Sequence, residues 1–376
     1  MDQDQQLSSC VEITPSIARQ REESRRPVVL FKDCTSVELE ERLRPLGVND
    51  RLARRLQSAV LRERRDELPA VLAEVSPKLL SLVRAATEIP RLTLREKVVS
   101  PVDGFAKYLF TGTDGQVFET VRIPLLHRPD DRKYVVCVSS QVGCALACAF
   151  CATGRLGFRR NLAAWEIVDQ VLQVAADSPH PVRGVVFMGM GEPLLNYDRV
   201  MRAANILTES CGPAIAGKAI TISTVGVVPG IRRFTADRQP YRLIVSLTSV
   251  DPIHRRELLP IDQSYPLDEL MQAIRDYHAT TGRRVTLAWT AIAGVNTRLE
   301  DARQLGVLLA GLPVKIDLID VNDPTGRFQP PSAEELTIFR DALSAELGMP
   351  VARRYSGGQD IHGGCGMLAG LATLRV

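Results

Sequence analysis

Residues 142–151 read VGCALACAFC and place three cysteines, Cys144, Cys148 and Cys151, within eight positions. The chain has eight cysteines in 376 residues, and the other five are spread along it. That usage is typical of a protein in a reducing compartment, where clustered thiols bind a metal or take part in redox chemistry. The C-x₃-C-x₂-C spacing therefore predicts a metal centre held by these three thiolates.

The number of ligands separates the candidate metal centres. A closed zinc site takes four ligands, and no cysteine or histidine follows Cys151 within about twenty residues. An iron–sulfur cluster with three cysteine ligands instead keeps one iron free to bind a substrate. The spacing resembles the signature of radical S-adenosyl-L-methionine (SAM) enzymes, in which that free iron binds the amino and carboxylate groups of the cofactor. We therefore expect a [4Fe–4S] cluster with SAM at its open iron, and an incomplete zinc site remains the alternative.

The segments around this loop alternate between strand and helix patterns. Strand-like runs such as YVVCVS at 134–139 and GVVFMG at 184–189 are separated by helical patterns of about 10–15 residues. This alternation indicates βαβ units, and roughly six repeats predict an α/β fold with a partial (β/α)₆ barrel. Two strands, at 219–224 and 242–247, are predicted to follow each other without a helix. Ligands should gather at the carboxyl ends of the strands.

Three segments are predicted along the chain. Residues 1–30 resemble a disordered tail, and 31–96 have the apolar spacing of short helices, broken near Pro45 and Pro69, which indicates a small helical accessory domain. Residues 97–376 form the catalytic domain. It begins with a β-hairpin extension, AKYLFTGTDGQVFETVRIPL, which carries an Asp-Gly turn.

Charge and hydropathy bear on partners and location. The net charge is only +3, but arginines concentrate in RLARRLQSAVLRERR at 51–65. These arginines predict either a surface that follows RNA phosphates or a set of solvated helix faces. No signal-peptide-like run opens the chain, and nowhere do about 18 apolar residues run together. We expect a cytoplasmic protein without a membrane partner.

A second motif, FMGMGEP at 187–193, follows the cysteines by about forty residues. Its glycines allow close backbone approach at the end of a strand, and an exposed carboxylate, Glu192, comes directly after them. Glu192 could accept a hydrogen bond from the ammonium group of the cofactor. Alone, the motif could equally be a turn with a surface glutamate.

Together these motifs resemble a specific family. Residues 97–370 are similar to the RlmN/Cfr family of radical SAM ribosomal RNA adenine methyltransferases. The matching blocks are CVSSQVGCALACAFCATG at 137–154, GMGEPLLNYDRV at 189–200, ISTVGVVPGI at 222–231 and GCGMLAGL at 364–371. The sequence departs from the family at Ser246-Leu247-Thr248, where Ser-Leu-His is usual, and around Asn322, where a Trp-Asn-Pro turn is usual.

The resemblance implies a mechanism that uses two further cysteines. Cys365 would be methylated first by SAM, and a radical from a second SAM molecule would remove hydrogen from that methyl group, so that the carbon adds to adenine. Cys137 would then release the adduct and form a disulfide with Cys365, and Glu119 would be the proton acceptor. By the same matching, the cofactor-binding residues would be Gly191, Glu192, Ser223, Ser246, Leu247, Thr248 and Asn322.

The implied function is methylation of an adenine carbon, C2 in the first instance, of 23S rRNA, or also of tRNA. The implied partners are RNA and an electron donor such as flavodoxin or ferredoxin, and the enzyme would be a monomer. Two alternatives stay open. A diverged paralogue could use the same mechanism on adenine C8 or on a small heteroaromatic metabolite, and a non-catalytic iron–sulfur RNA-binding protein could have the same cluster.

Overall fold

A ten-stranded sheet forms the centre of the computed structural model, which describes residues 28–126 and 128–369. The strands of these residues are β1 Val29–Leu30, β2 Thr87–Glu88, β3 Thr93–Val99, β4 Ala106–Thr111, β5 Val117–Leu125, β6 Lys133–Cys137, β7 Gln141–Gly143, β8 Phe158–Asn161, β9 Val182–Phe187, β10 Ile220–Thr224, β11 Arg242–Ser246, β12 Val285–Ala291, β13 Val314–Asp320 and β14 Ala352–Arg353. The order across the large sheet is β14-β13-β12-β11-β10-β9-β6-β5-β4-β3.

Helices connect most of these strands. They are α1 Ser36–Leu43, α2 Asp50–Gln57, α3 Pro77–Ala86, α4 Ala152–Arg155, α5 Ala164–Asp177, α6 Tyr197–Thr208, α7 Val228–Ala236, α8 Pro252–Leu258, α9 Leu267–Thr281, α10 Leu299–Leu308 and α11 Ala333–Leu347. Within the described ranges, no helix is long and apolar enough to cross a membrane.

The barrel part of the sheet consists of β6 and β9 to β13, which all pair in parallel. These six strands and their connecting helices are the predicted (β/α)₆ unit. The prediction of two consecutive strands at 219–224 and 242–247 is wrong, because α7 connects them. Its sequence, VPGIRRFTA, has proline in the first helical turn, where no N–H is lost, and Gly230, where a Cβ would lie 2.6 Å from a Leu194 side-chain atom.

The antiparallel extension is formed by β3, β4 and β5, and β5 joins it to the barrel by pairing with β6. The predicted hairpin at 106–125 is present, and Asp114 and Gly115 lie in its turn, where Gly115 adopts a positive φ of 78°. β3 begins at Thr93, so the last four residues of the predicted helical segment, 93–96, lie in a strand. Its side chains are mostly exposed, so the apolar alternation that would indicate a strand is weak.

The N-terminal helical segment packs on the outside of the barrel. Lys32 Nζ lies 2.6 Å from Asp169 Oδ1 of α5, and both side chains are buried. The apolar side chains of α1 and α2 belong to the same continuous core as those of α5. Val29–Leu30 pair in parallel with Thr87–Glu88, so residues 29–30 of the predicted disordered tail are a strand. The rest of that tail, residues 1–27, lies outside the described residues.

Candidate active site

A cavity lies at the carboxyl ends of the parallel strands, where barrels of this kind bind ligands. All three cysteines of the C-x₃-C-x₂-C loop line it, and so do residues at or just beyond the ends of β9, β10, β11 and β13. Of the predicted cofactor and cysteine positions, the cavity brings together Cys144, Cys148, Cys151, Gly191, Glu192, Ser223, Ser246, Asn322 and Cys365. Residues far apart in the sequence therefore share one space, which we name the cofactor cavity.

The cysteine loop is held by backbone hydrogen bonds. The Cys144 N–H donates to Gly157 O (3.1 Å), and the Ala149 N–H donates to Leu258 O (3.0 Å). Burial raises the pKa of the Cys144 thiol to about 12 and that of Cys148 well above its usual value, and the neighbouring thiols add to both shifts. Positively charged irons would offset that penalty on the thiolates.

The placement of the three thiols is compatible with an iron–sulfur cluster. Among residues 28–126 and 128–369, no three His, Cys, Asp or Glu side chains are grouped so as to hold one metal ion. The three thiols instead line the shared cofactor cavity. In an iron–sulfur cluster each cysteine binds a separate iron, so the sulfurs need not converge on one point. The three thiols fit that kind of cofactor.

Glu192 is not exposed as expected but buried, with 3% of its surface accessible. Its carboxylate accepts hydrogen bonds from the N–H groups of Leu194 (3.0 Å) and Val225 (3.1 Å). Burial raises its pKa to about 7. Gly191 brings the chain to this position with a positive φ of 99°, and a Cβ there would lie 2.5 Å from Gln141 Cβ. The motif therefore provides an oriented carboxylate at the cavity wall, which suits a cationic ligand group.

The loop that carries Cys365 is anchored to the cysteine loop. The Cys365 N–H donates to Ser356 Oγ (2.9 Å), and Asn322 Nδ2 donates to the same hydroxyl (2.9 Å) and to Cys365 O (3.3 Å). From the other side, the Ala152 N–H donates to Gly366 O (2.7 Å). Asn322 thus contacts the Cys365 loop as well as lining the cofactor cavity.

A second cavity lies beside the first, and we name it the thiol cavity because Cys137 and Cys365 both line it. Cys365 and Met188 line both cavities. Cys137, at the end of β6, is 7% exposed, and burial, with a smaller contribution from the Cys365 thiol, raises its pKa to about 12. Both cysteines are free thiols. Cys365 is therefore the cysteine that the two cavities share.

Glu119 lies on β5 and lines neither cavity. Its carboxylate pairs with Lys107 Nζ at 2.9 Å and accepts the Ala369 N–H at 2.8 Å, and the residue is buried. Ala369 is close in sequence to Cys365, so Glu119 is connected to the C-terminal loop through its backbone. The role of proton acceptor stays a prediction.

Leu247 and Thr248 are the two predicted cofactor residues that do not line the cofactor cavity. Both are fully buried, and Thr248 has a positive φ of 58°. The Thr248 O accepts a hydrogen bond from Asn296 Nδ2 (2.6 Å), whereas its hydroxyl oxygen has no hydrogen-bond partner. Thr248, where the family usually has histidine, therefore has a buried side chain that does not line the cofactor cavity.

Sequence reasoning missed the residues just before Cys365. Arg354, Tyr355 and Ser356 all line the thiol cavity, and Arg354 Nη1 lies 3.2 Å from Met188 Sδ. The segment around them, VARRYSGGQD, has neither helical nor strand periodicity, so no pattern indicated that it faces a site. Its two consecutive glycines, Gly357 and Gly358, were the available signal of close packing.

Comparison with known proteins defines the class. The chain matches the family model of the radical SAM superfamily over residues 138–305, a range that contains the three cysteines and Glu192. Its structure is similar to that of a radical SAM methyltransferase from Sphaerobacter thermophilus, with a TM-score of 0.83 and 38% identity over 92% of this chain and 100% of that one. The fold and site therefore define a radical SAM enzyme, and the predicted α/β fold class is confirmed.

Sequence relatives narrow the class to a family. The chain is 49% identical to a probable RNA methyltransferase of Myxococcus xanthus, over 90% of this chain and 94% of the relative. It is 39% identical to the dual-specificity RNA methyltransferase RlmN of Syntrophobacter fumaroxidans, over 90% and 98%. The chain belongs to the RlmN-type family of radical SAM RNA methyltransferases. This confirms the resemblance, and the family implies a [4Fe–4S] cluster and SAM as cofactors.

Proposed function

We propose that this enzyme methylates an adenine carbon of RNA, with C2 of 23S rRNA as the first candidate and tRNA as a second substrate, through a methylated Cys365. One observation carries the proposal: Cys365 lines both the cofactor cavity and the thiol cavity. A group received from the cofactor side can therefore be delivered to a substrate on the other side without moving between distant sites.

The residues of the cofactor cavity would hold the cluster and SAM. When bound, these groups supply the methyl group and, from a second SAM molecule in the same turnover, a 5′-deoxyadenosyl radical. Cys144, Cys148 and Cys151 would bind the cluster, and Glu192 would orient the ammonium group of SAM. Asn322 would position the Cys365 loop against the cofactor through its hydrogen bonds to Ser356 and to the Cys365 carbonyl.

Cys365 and Cys137 would have different roles in the reaction. Cys365 would carry the methyl group as a thioether, and its carbon would form the bond to adenine after losing a hydrogen atom to the 5′-deoxyadenosyl radical. The resulting adduct radical would lose the ring proton and one electron, and that electron would return to the cluster that supplied one at the start of the turnover. The Cys137 thiolate would attack the Cys365 sulfur, so that an S–S bond forms and the C–S bond breaks. The electron pair of that bond would return to the carbon, which takes up a proton to become a methyl group. Glu119 would accept the proton that leaves the ring.

The raised pKa of Cys137 gives a pH-dependent prediction. Because only the thiolate attacks sulfur, and burial raises this pKa to about 12, the neutral thiol predominates at neutral pH. Release of the RNA adduct should therefore accelerate by about tenfold for each pH unit between pH 7 and 9. Quenched-flow measurement of adduct decay on a denaturing gel would give the profile. A flat profile would show that the thiol is already ionised in the adduct, or that another step limits release.

The RNA assignment also concerns the arginines at 51–65. Several are engaged within the protein: Arg54 pairs with Asp50 (2.9 Å), Arg65 with Glu63 (2.7 Å), and Arg64 donates to Ala175 O (2.9 Å). All of the arginines at 51–65 are partly or fully exposed, so they remain available to RNA phosphates at the surface.

Replacing five of these arginines with glutamine (Arg54, Arg55, Arg62, Arg64 and Arg65) should flatten the dependence of RNA affinity on salt. For a single strand, the slope of log K against log salt should fall by about 0.7 for every arginine–phosphate pair that the substitutions remove. Filter binding across a salt series measures it. Arg303→Gln with Arg340→Gln, on the outer helices α10 and α11, is the control. An unchanged slope would favour the metabolite alternative.

The experiment that tests the proposed function is mass spectrometry of nucleosides from 23S rRNA and tRNA of cells with and without the gene. Loss of 2-methyladenosine on deletion is the expected result. Loss of 8-methyladenosine would move the reaction to the other carbon, and unchanged RNA in the deletion strain would contradict an RNA substrate.

The remaining partners follow from this proposal. Cleavage of SAM needs one electron, which we propose is delivered by flavodoxin or ferredoxin. A reduced cluster and a ribosomal or transfer RNA substrate are both consistent with a cytoplasmic enzyme, which we propose acts as a monomer.

A further inference from the structure

Exposed aromatic side chains are rare in this protein. Of the Phe, Tyr and Trp residues in the described ranges, only Tyr355 (68% exposed) and Phe158 (46% exposed) present most or much of their surface to solvent. Trp165 and Trp289 are buried, and the helical segment at 36–96 contains no aromatic residue. Tyr355 is thus an unusual feature that neither the fold nor the core accounts for.

The position of Tyr355 is fixed on three sides. Its hydroxyl donates to Asp103 Oδ2 (3.0 Å), and its ring lies edge-on to Phe105, with centroids 6.3 Å apart at 77°. Asp103 Oδ2 also accepts the Gly358 N–H (2.8 Å), which connects the extension to the Cys365 loop. At Gly357 a Cβ would lie 2.6 Å from Tyr355 Cε1, so the backbone packs directly against the ring. These contacts fix the orientation of the Tyr355 ring at the protein surface.

This ring stands at the thiol cavity. Tyr355 lines the cavity together with Cys137, Cys365 and an apolar wall from β5 that includes Val121 and Ile123. The cofactor cavity would hold the cluster and SAM, so the thiol cavity is the other space lined by Cys365 that an acceptor could enter. The cavity is therefore lined by both cysteines, by apolar side chains and by the exposed Tyr355.

We propose that the Tyr355 ring is a stacking platform for the nucleobase that accepts the methyl group. The inference rests on the proposed function, because it takes RNA as the substrate. Proteins bind unpaired bases by stacking them on aromatic rings, and a preset ring costs little conformational entropy on binding. The hydrogen bond to Asp103 and the contact with Phe105 hold the Tyr355 ring in place before a base binds. A planar heteroaromatic base is the substrate part that fits such a face.

Three variants separate stacking from simple occlusion of the cavity. Tyr355→Phe keeps the ring and loses the hydroxyl, and Tyr355→Leu keeps apolar bulk and loses the π-face. Phe158→Leu, at the other exposed aromatic residue, on β8 and outside the thiol cavity, is the matched control. The substrate is an in vitro transcript of 23S rRNA or tRNA that the wild-type enzyme methylates.

We expect Tyr355→Leu to raise the KM for RNA by about tenfold, the range in which loss of one base–aromatic stack falls. Tyr355→Phe should stay within about twofold of wild type. Methylation of Cys365 by SAM in the absence of RNA should be unchanged in every variant, because that half-reaction uses the cofactor cavity. Thermal melting curves would verify that each variant is folded.

Equal KM values for the Leu and Phe variants would overturn the inference while the proposed function stands, and so would a loss of Cys365 methylation in the Leu variant alone. If the wild-type enzyme methylated no RNA transcript, the proposed function itself would fail, and the inference with it.

Discussion

Replacing Cys137 with alanine is expected to leave the enzyme covalently joined to its RNA. The variant keeps Cys365, so it should still receive the methyl group and still form the carbon–carbon bond to the base. It has no thiolate to attack the Cys365 sulfur, so the C–S bond should persist. We expect at most one base to react per enzyme, seen as a shifted band on a denaturing gel that RNase removes.

The matched variant is Cys365→Ala, which should form no adduct and no methylated base, because the carrier sulfur is gone. Cys211→Ala is a further control. Cys211 lies against Gln57 and Glu209, away from both cavities, so its loss should leave turnover unchanged. Wild-type turnover by the Cys137 variant, or equal adduct formation by both site variants, would show that the assigned roles are wrong.

Changing any one of Cys144, Cys148 or Cys151 to alanine should abolish reductive cleavage of SAM. A cluster held by three thiolates cannot lose one of them and keep a defined open iron. Among the described residues, the one other cysteine that lines the cofactor cavity is Cys365. Anaerobically reconstituted wild-type protein should contain about four irons and four sulfides per chain. The measurements are iron and sulfide analysis and chromatography of 5′-deoxyadenosine.

The control for this loss is again Cys211→Ala, which should retain full iron content, with circular dichroism to establish that the cysteine variants are folded. Stoichiometric zinc in a fully active wild-type enzyme would contradict the cluster assignment.

Much of the fold could be predicted from periodicity. The predicted strands at 134–139 and 184–189 correspond to β6 and β9, and the Asp114-Gly115 turn is found where the sequence placed it. Helix α7 was missed because a short segment with Pro229 and Gly230 has few residues from which to read a period. Strand β3 was missed because its side chains are mostly exposed and lack an apolar face.

The site was predictable where chemistry and spacing coincide. Three cysteines at fixed spacing indicate a cluster in any fold. Burial of Glu192 was not predictable, because it depends on Gln141 and the β10–α7 turn, which are distant in sequence. The same limit applies to Tyr355: its place at the thiol cavity depends on contacts with Asp103 and Phe105, about 250 residues earlier in the chain.

The most direct test of the central claim, that the methyl group passes through Cys365, follows the hydrogens of that group. The enzyme would be given SAM with a trideuterated methyl group, an RNA transcript and a reductant, and both the Cys365 peptide and the methylated nucleoside would be weighed by mass spectrometry. The two-cysteine route predicts a trideuterated methyl group on Cys365 before reduction. It then predicts a base whose methyl group has two deuterium atoms and one hydrogen from solvent, because one deuterium is removed on the way. A base with all three deuterium atoms, or an enzyme whose Cys365 is never methylated, would contradict it.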